Sequence, residues 1–152
     1  MGIQLKAELL KDNVDLDSIK FEDMFNADSN TRYRYTIAKM TREEKAYILY
    51  KKNAPFYYKT FEDNIRALPL WPGRQACEIC IEQDDIFKGA EIAVIDKKTL
   101  YHELLSDLHK KKIFVSIYVN LQDVIELPAR EFKIDWFEYM FYNLKQDWMF
   151  DD

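Results

Sequence analysis

The sequence predicts a single α+β domain, a mostly antiparallel or mixed sheet flanked by helices, and three observations carry the prediction. A chain of 152 residues that is 48% hydrophobic has the length and apolar content of one packed core. With only 3 Gly and 4 Pro beside 32% charged residues, no low-complexity linker separates further domains. Helical and strand-like periodicities alternate irregularly, without the strict rhythm of a parallel βαβ fold.

Residues 1–28 hold 3 basic and 7 acidic groups and read as an acidic N-terminal extension packed on the core, with a strand pattern over 3–9 and a turn-like run over 12–17. The α+β core domain is assigned to 29–132. Asp28 or Ser29 offers the side-chain oxygen that caps a helix reaching about Met40, with Tyr33, Ile37 and Met40 on one face. Two β-rich runs, 46–51 and 56–61, flank Lys52-Asn-Ala-Pro55 and predict a hairpin. A third strand is expected over 65–70. Pro69 and Pro72 bracket Leu70-Trp71, so the strand is expected to stop there and a helix to begin, reaching about Ile81. Residues 92–95 predict a short strand of buried type. Asp96 then caps a helix whose Leu100, Leu104 (or Glu103) and Leu108 recur at helical spacing, and whose Lys110-Lys-Lys112 end suits the helix dipole. The strongest strand pattern covers 113–119, with 123–127 as its hairpin partner, and Pro128 opens a last helix to about Lys145. Residues 133–152 are set apart as an aromatic C-terminal helix and acidic tail.

Charge narrows the function. With 22 basic against 27 acidic residues the net charge is -5, which opposes nonspecific attraction to nucleic acid or anionic lipid and suits a positively charged partner. The longest uncharged stretch, 113–122, is about half the roughly 20 residues a membrane span needs. Met1-Gly-Ile-Gln-Leu-Lys6 has no apolar targeting run, and 2 cysteines are too few for a secreted disulfide scaffold. The expected location is the cytoplasm, without membrane association.

No catalytic constellation emerges. Cys77-Glu-Ile-Cys80 has the C-x-x-C spacing of redox proteins, yet it falls inside a predicted helix instead of at its N-terminus, where the dipole lowers a thiol pKa. With Ala76 it reads as a buried stripe of small residues. His102 and His109 stand i, i+7, wider than the spacing of metal ligands on a helix. None of Ser18, Ser29, Ser106 and Ser116 sits in a G-x-S-x-G elbow, and 3 glycines build no phosphate loop. The expectation is a protein with no enzymatic activity, cofactor or metal. Residues 29–61 form the one basic block, 8 cations against 2 acids. Over 32–59 it interleaves Arg and Lys with Tyr and Phe, a pattern shared by single-stranded nucleic acid surfaces and half-buried helices or hairpins. The C-terminal stretch is denser still, with 8 of the 23 aromatics in 132–150. Phe137, Phe141, Leu144 and Trp148 make one stripe, and Phe132, Trp136, Tyr139 and Met140 another. Such a helix is either wedged into the fold or offers one stripe to a partner.

Over about residues 31–132 the sequence resembles a family of small bacterial domains, domain of unknown function two-seven-five-zero. The likeness lies in Arg32-Tyr-Arg-Tyr-Thr-Ile37, the hairpin 47–58, Leu68-Pro-Leu-Trp-Pro72 with Ala76 following, and Phe87. It continues through Ile95, the helix 100–105, the strand 115–119 and Glu131-Phe132. Domains of this type resemble immunity proteins, so the resemblance implies an antitoxin that neutralises a cognate toxin by direct binding. Against a basic nuclease, Glu82, Asp84, Asp85, Asp147, Asp151 and Asp152 would occupy the phosphate-binding cleft, while Phe87, Trp148 and Phe150 supply desolvated anchors. The alternative is a nucleic-acid-binding regulator that uses the Tyr-rich segment 32–59.

Overall fold

A computed structural model describes residues 14–60 and 64–143. The strand expected over 3–9 and the tail beyond 143 lie outside the described residues. Leu16–Ser18 is one 3-10 turn, and Phe21–Phe25 forms a short helix, α1, whose Met24 is buried. Phe25 leans on Tyr118 with ring centres 6.5 Å apart.

Helix α2 is Ser29–Glu43, capped as expected: the Asp28 carboxylate accepts from the Thr31 backbone N–H at 2.8 Å. It outruns Met40 by three residues and stops where Glu44 turns left-handed at φ +59° and returns its N–H to the Met40 carbonyl. Tyr33, Ile37 and Met40 are all buried on the inner face. The Thr31 bonds hold the Asp28 carboxyl below its ordinary value. Asp28→Ala is therefore expected to lose about 1 kcal/mol, read as a lower melting temperature at neutral pH. Because the folded pKa is depressed, the difference from wild type should vanish as pH falls through it.

Strand β1, Lys45–Lys51, turns back through Lys52 and Asn53, both left-handed at φ +53° and +63°, the twist that a two-residue hairpin turn requires. The return strand β2 is only Ala54–Pro55, extended by a bond from the Phe56 N–H to the Leu49 carbonyl at 2.8 Å. The run expected over 56–61 does not continue the hairpin. Tyr58–Lys59, β3, crosses to pair antiparallel with β4, Arg66–Leu70, and the Tyr58 hydroxyl donates to Glu126 at 2.6 Å.

Strand β4 ends at Leu70 as expected, with Pro69 inside it, and pairs in parallel with β6, Phe114–Ile117. The Leu70 carbonyl accepts from the Tyr118 N–H at 2.7 Å, so Leu70 faces β6. By strand alternation the Pro69 nitrogen then faces the other side, beyond the end of β3, where no N–H is needed. Trp71 joins the two sheets, exchanging bonds of 2.9 and 3.0 Å with Tyr47 of β1. Its buried indole donates to the Val119 carbonyl at 2.9 Å and packs against Phe87 at 5.9 Å. Leu68-Pro-Leu-Trp-Pro72 is thus a structural joint. Helix α3 begins only at Arg74 and ends at Gln83, followed by a 3-10 turn, Asp85–Phe87.

Strand β5, Glu91–Asp96, runs antiparallel to β1 at the sheet's edge, and Val94 is 56% exposed, so it is not the buried strand its apolar run suggested. A three-stranded sheet, β2-β1-β5, is therefore antiparallel, and a four-stranded one, β3-β4-β6-β7, is mixed; β7 is Ile125–Pro128. Asp96 caps the next helix, accepting from the Thr99 N–H at 2.9 Å. This helix, α4, covers 97–110: Lys97–Thr99, a π-helical turn at Leu100–Leu104, then Leu105–Lys110. The π-turn adds one residue to the turn, so Leu100, Leu105 and Leu108 point inward and Leu104 is only half-buried. Helix α5, Ala129–Asn143, passes the expected division at 132/133 without a break, and packs with α2 over β6 and β7. The fold is α+β in one compact unit.

Arg32 closes this architecture. It is fully buried in α2 and donates from Nε to the Tyr118 carbonyl at 3.1 Å, from Nη2 to the Asp123 carbonyl at 2.6 Å and from Nη1 to the Ala27 carbonyl. Its fork holds the loop between β6 and β7, in which Tyr118 sits at φ +49°, a conformation costly for a bulky side chain.

Candidate functional site

The pairing of α4 with α5 leaves a cleft of about 510 Å³ between them. Tyr101 and Leu105 of α4, both buried, form its floor, and Ile134 and Phe137 of α5 form the opposite wall. His109, Lys110, Arg130 and Lys133 complete the lining with positive or titratable groups, and Ser106 adds a hydroxyl. Among the described residues no acid lines it. The Lys133 amine stands 4.9 Å above the Tyr101 ring centre and 3.4 Å from the Ser106 hydroxyl, so packing on both helices fixes its place. Sequence reading missed this site. Arg130, Lys133, Ile134 and Phe137, at i, i+3, i+4 and i+7 on one helix, were the signal that marks a basic edge beside an apolar wall.

The partner-binding candidates separate into three groups. Glu82, Asp84 and Asp85 are brought together at the end of α3, where Glu82 and Asp85 are exposed. Asp84 is half-buried and caps the following 3-10 turn, accepting from the Ile86 N–H at 3.1 Å. Phe87 is 1% exposed, stacked edge-on between Trp71 and Phe56 at 5.9 and 5.7 Å, so it anchors the core and offers no face to a partner. Asp147, Trp148, Phe150, Asp151 and Asp152 lie outside the described residues, as do Leu144 and the rest of the tail. Of the two stripes, Phe132, Trp136, Tyr139 and Met140 are buried, whereas Phe141 is 41% exposed with its ring stacked 6.2 Å from Phe137.

Both cysteines are buried, and burial pushes the Cys77 thiol up and the Cys80 thiol to about 12. Neither is a thiolate at neutral pH. Alkylation of the native protein at pH 8 is expected to run at least about a hundredfold slower than that of the unfolded chain. His109 is exposed, and His102 packs edge-on to Tyr101 at 5.0 Å. Among the described residues no three His, Cys, Asp or Glu side chains gather to hold a metal ion, and no helix is long and apolar enough to cross a membrane.

At least five of the eight cations in the basic segment are engaged within the chain, while Lys52 and Lys59 are exposed. Arg32 serves three carbonyls, Arg42 pairs with Asp17 at 2.8 Å, and Lys39 reaches Glu43 at 3.9 Å. Lys45 and Lys51 lie over the rings of Tyr47 and Phe56, and Tyr33 is buried with its hydroxyl on Asp135. Burial, reinforced by that carboxylate, pushes the Tyr33 phenol well up.

Fold and site together define an α+β domain with a joined pair of small sheets and a basic-edged apolar cleft between two helices. A family model described as a protein of unknown function (DUF2750) matches residues 33–146, and the chain belongs to that family. No curated protein and no solved structure matches the chain.

Proposed function

We propose that the chain works by occupancy, as an immunity-type protein that neutralises a cognate toxin by direct binding and carries out no chemistry of its own. The observation that carries the reading is the outer side of α5. Phe141 and Tyr142, with ring centres 5.4 Å apart, are 41% and 47% exposed on a helix whose opposite side already fills the core. A contiguous aromatic surface with a rigid helical backbone is the usual chemistry of a binding hot spot. The exposed carboxylates of Glu82 and Asp85 would act at longer range, speeding encounter with a basic partner.

The test is co-expression with the product of the adjacent gene. That product is expected to be toxic alone, tolerated in the presence of this chain, and to co-purify with it. Phe141→Asp combined with Tyr142→Asp should weaken the complex by roughly a hundredfold or more while the far-UV circular dichroism stays that of the wild type. Glu82→Lys with Asp85→Lys should slow association and flatten its salt dependence. A harmless neighbouring product, or two proteins that do not co-purify, would sink the reading. Nucleic acid binding through 32–59 is less favoured, because Arg32 and Tyr33 are committed to the interior.

A further inference from the structure

The cleft between α4 and α5 has a chemistry separate from partner docking. We propose that it binds a free medium- or long-chain carboxylate, with the hydrocarbon lying between the two helices and the head group held by the basic rim.

Size comes first. A volume of about 510 Å³ falls within the range of small-molecule sites, roughly 300 to 1,000 Å³, and is closed along its floor by the Tyr101 and Leu105 side chains. The lining on α4 covers residues 101–110, about 14 Å at the helical rise of about 1.5 Å per residue, which suits an extended chain better than a compact ring system. Phe141 and Tyr142, the part of α5 offered to a protein partner, lie outside the lining.

Charge comes second. Arg130, Lys110 and Lys133 carry positive charge at the rim beside His109, with no carboxylate among the described lining residues to neutralise them. Among the described residues none of the four is joined to an acid, while Lys39, Arg42, Arg74 and Lys111 all are. Apolar walls with uncompensated cations at the mouth select an amphipathic anion over a neutral or cationic one. Lys133 is already positioned over the Tyr101 ring beside the Ser106 hydroxyl, so ammonium and hydroxyl are two donors set for one carboxylate head.

Backbone comes third. The π-helical turn Leu100–Leu104 stands at one end of the cleft, and such turns recur at functional sites because the widened turn re-aims the side chains that follow. Here it swings Leu105 inward to the floor.

Isothermal titration of the full chain with octanoate, decanoate and dodecanoate tests the proposal, with decyltrimethylammonium as the charge control. One equivalent should bind, roughly fifteenfold tighter for each two added carbons, since each buried methylene contributes a factor of about four. The ammonium should bind at least tenfold more weakly than decanoate. Arg130→Glu with Lys133→Glu should reverse that preference while the circular dichroism melt stays at the wild-type temperature. Absence of saturable heat from dodecanoate, equal binding of decanoate and the ammonium to the wild-type chain, or unchanged decanoate affinity in the double variant would each overturn it. Saturable heat from a glutamate-rich amphipathic peptide, with none from dodecanoate, would give the cleft to a protein segment instead. None of these readouts involves a toxin, so partner binding and carboxylate binding stand or fall separately.

Discussion

Replacing Arg32 by leucine is expected to destabilise the fold by about 3 kcal/mol or more, read as a fall in the urea midpoint. Leucine fills much of the space but donates nothing, and the carbonyls of Ala27, Tyr118 and Asp123 lose their shared donor. Each acceptor left unmade in a buried setting costs about 1–3 kcal/mol. Set against a total stability of about 5–15 kcal/mol for a domain of this kind, that loss takes a large fraction of the whole. Lysine should not rescue it, because one ammonium cannot span three carbonyls that a planar fork reaches together. The loop from Tyr118 to Asp123 should loosen first, since its strained Tyr118 conformation is held from one side by the Arg32 bond and from the other by Leu70. Amide exchange in that loop would report it before global unfolding. The same variant separates two functions. A phosphate-contacting arginine would lower nucleic acid affinity and leave the midpoint untouched, whereas a wild-type midpoint in Arg32→Leu would show that the buried fork is not what holds the loop.

Local chemistry was legible in the sequence and tertiary coupling was not. Asp28 and Asp96 were readable as caps because a cap needs only its own carboxylate and an amide three residues on, and the structure forms both bonds. The inner face of α2 followed from 3.6-residue periodicity alone. The same periodicity failed in α4, because it assumes an unbroken α-helix and the π-turn replaces Leu104 by Leu105 on the inward side. The end of β4 at Leu70 was legible from Pro69 and Pro72 on either side of it, although Pro69 itself sits inside the strand. Its missing N–H ends a strand only when that N–H faces a partner, and which side it faces depends on β3, a strand of two residues. Phe87, an exposed anchor by its acidic neighbours, is buried by Trp71 and Phe56, residues 16 and 31 positions away in sequence. The cleft was hidden for the same cause: Tyr101 and Leu105 meet Ile134 and Phe137 only after two helices have packed.

The largest single loss in the C-terminal half is expected for Trp136→Ala, and it separates the two sides of α5. Trp136 is fully buried, edge-on to Tyr101 at 5.5 Å and tilted against Phe132 at 6.0 Å, and its indole N–H donates to the Thr41 hydroxyl at 2.9 Å. That hydroxyl donates onward to the Ile37 carbonyl at 2.7 Å, so the ring ties α5 to the end of α2. Truncation removes the ring contacts and leaves a cavity, a combination that costs about 3–5 kcal/mol in well-packed cores. Trp136→Phe should cost less, because Thr41 keeps its own acceptor and the aromatic contacts partly survive. Phe141→Ser on the outer side should cost less than either, about 1 kcal/mol, since a 41% exposed ring has less contact to lose than one fully buried. Chemical denaturation of the three variants therefore ranks them Trp136→Ala, Trp136→Phe, Phe141→Ser. Partner binding should rank Phe141→Ser first, provided each variant is compared well below its own melting temperature. If Phe141→Ser unfolds the protein as readily as Trp136→Ala, the outer stripe belongs to the core, and the argument for a partner surface on α5 fails with it.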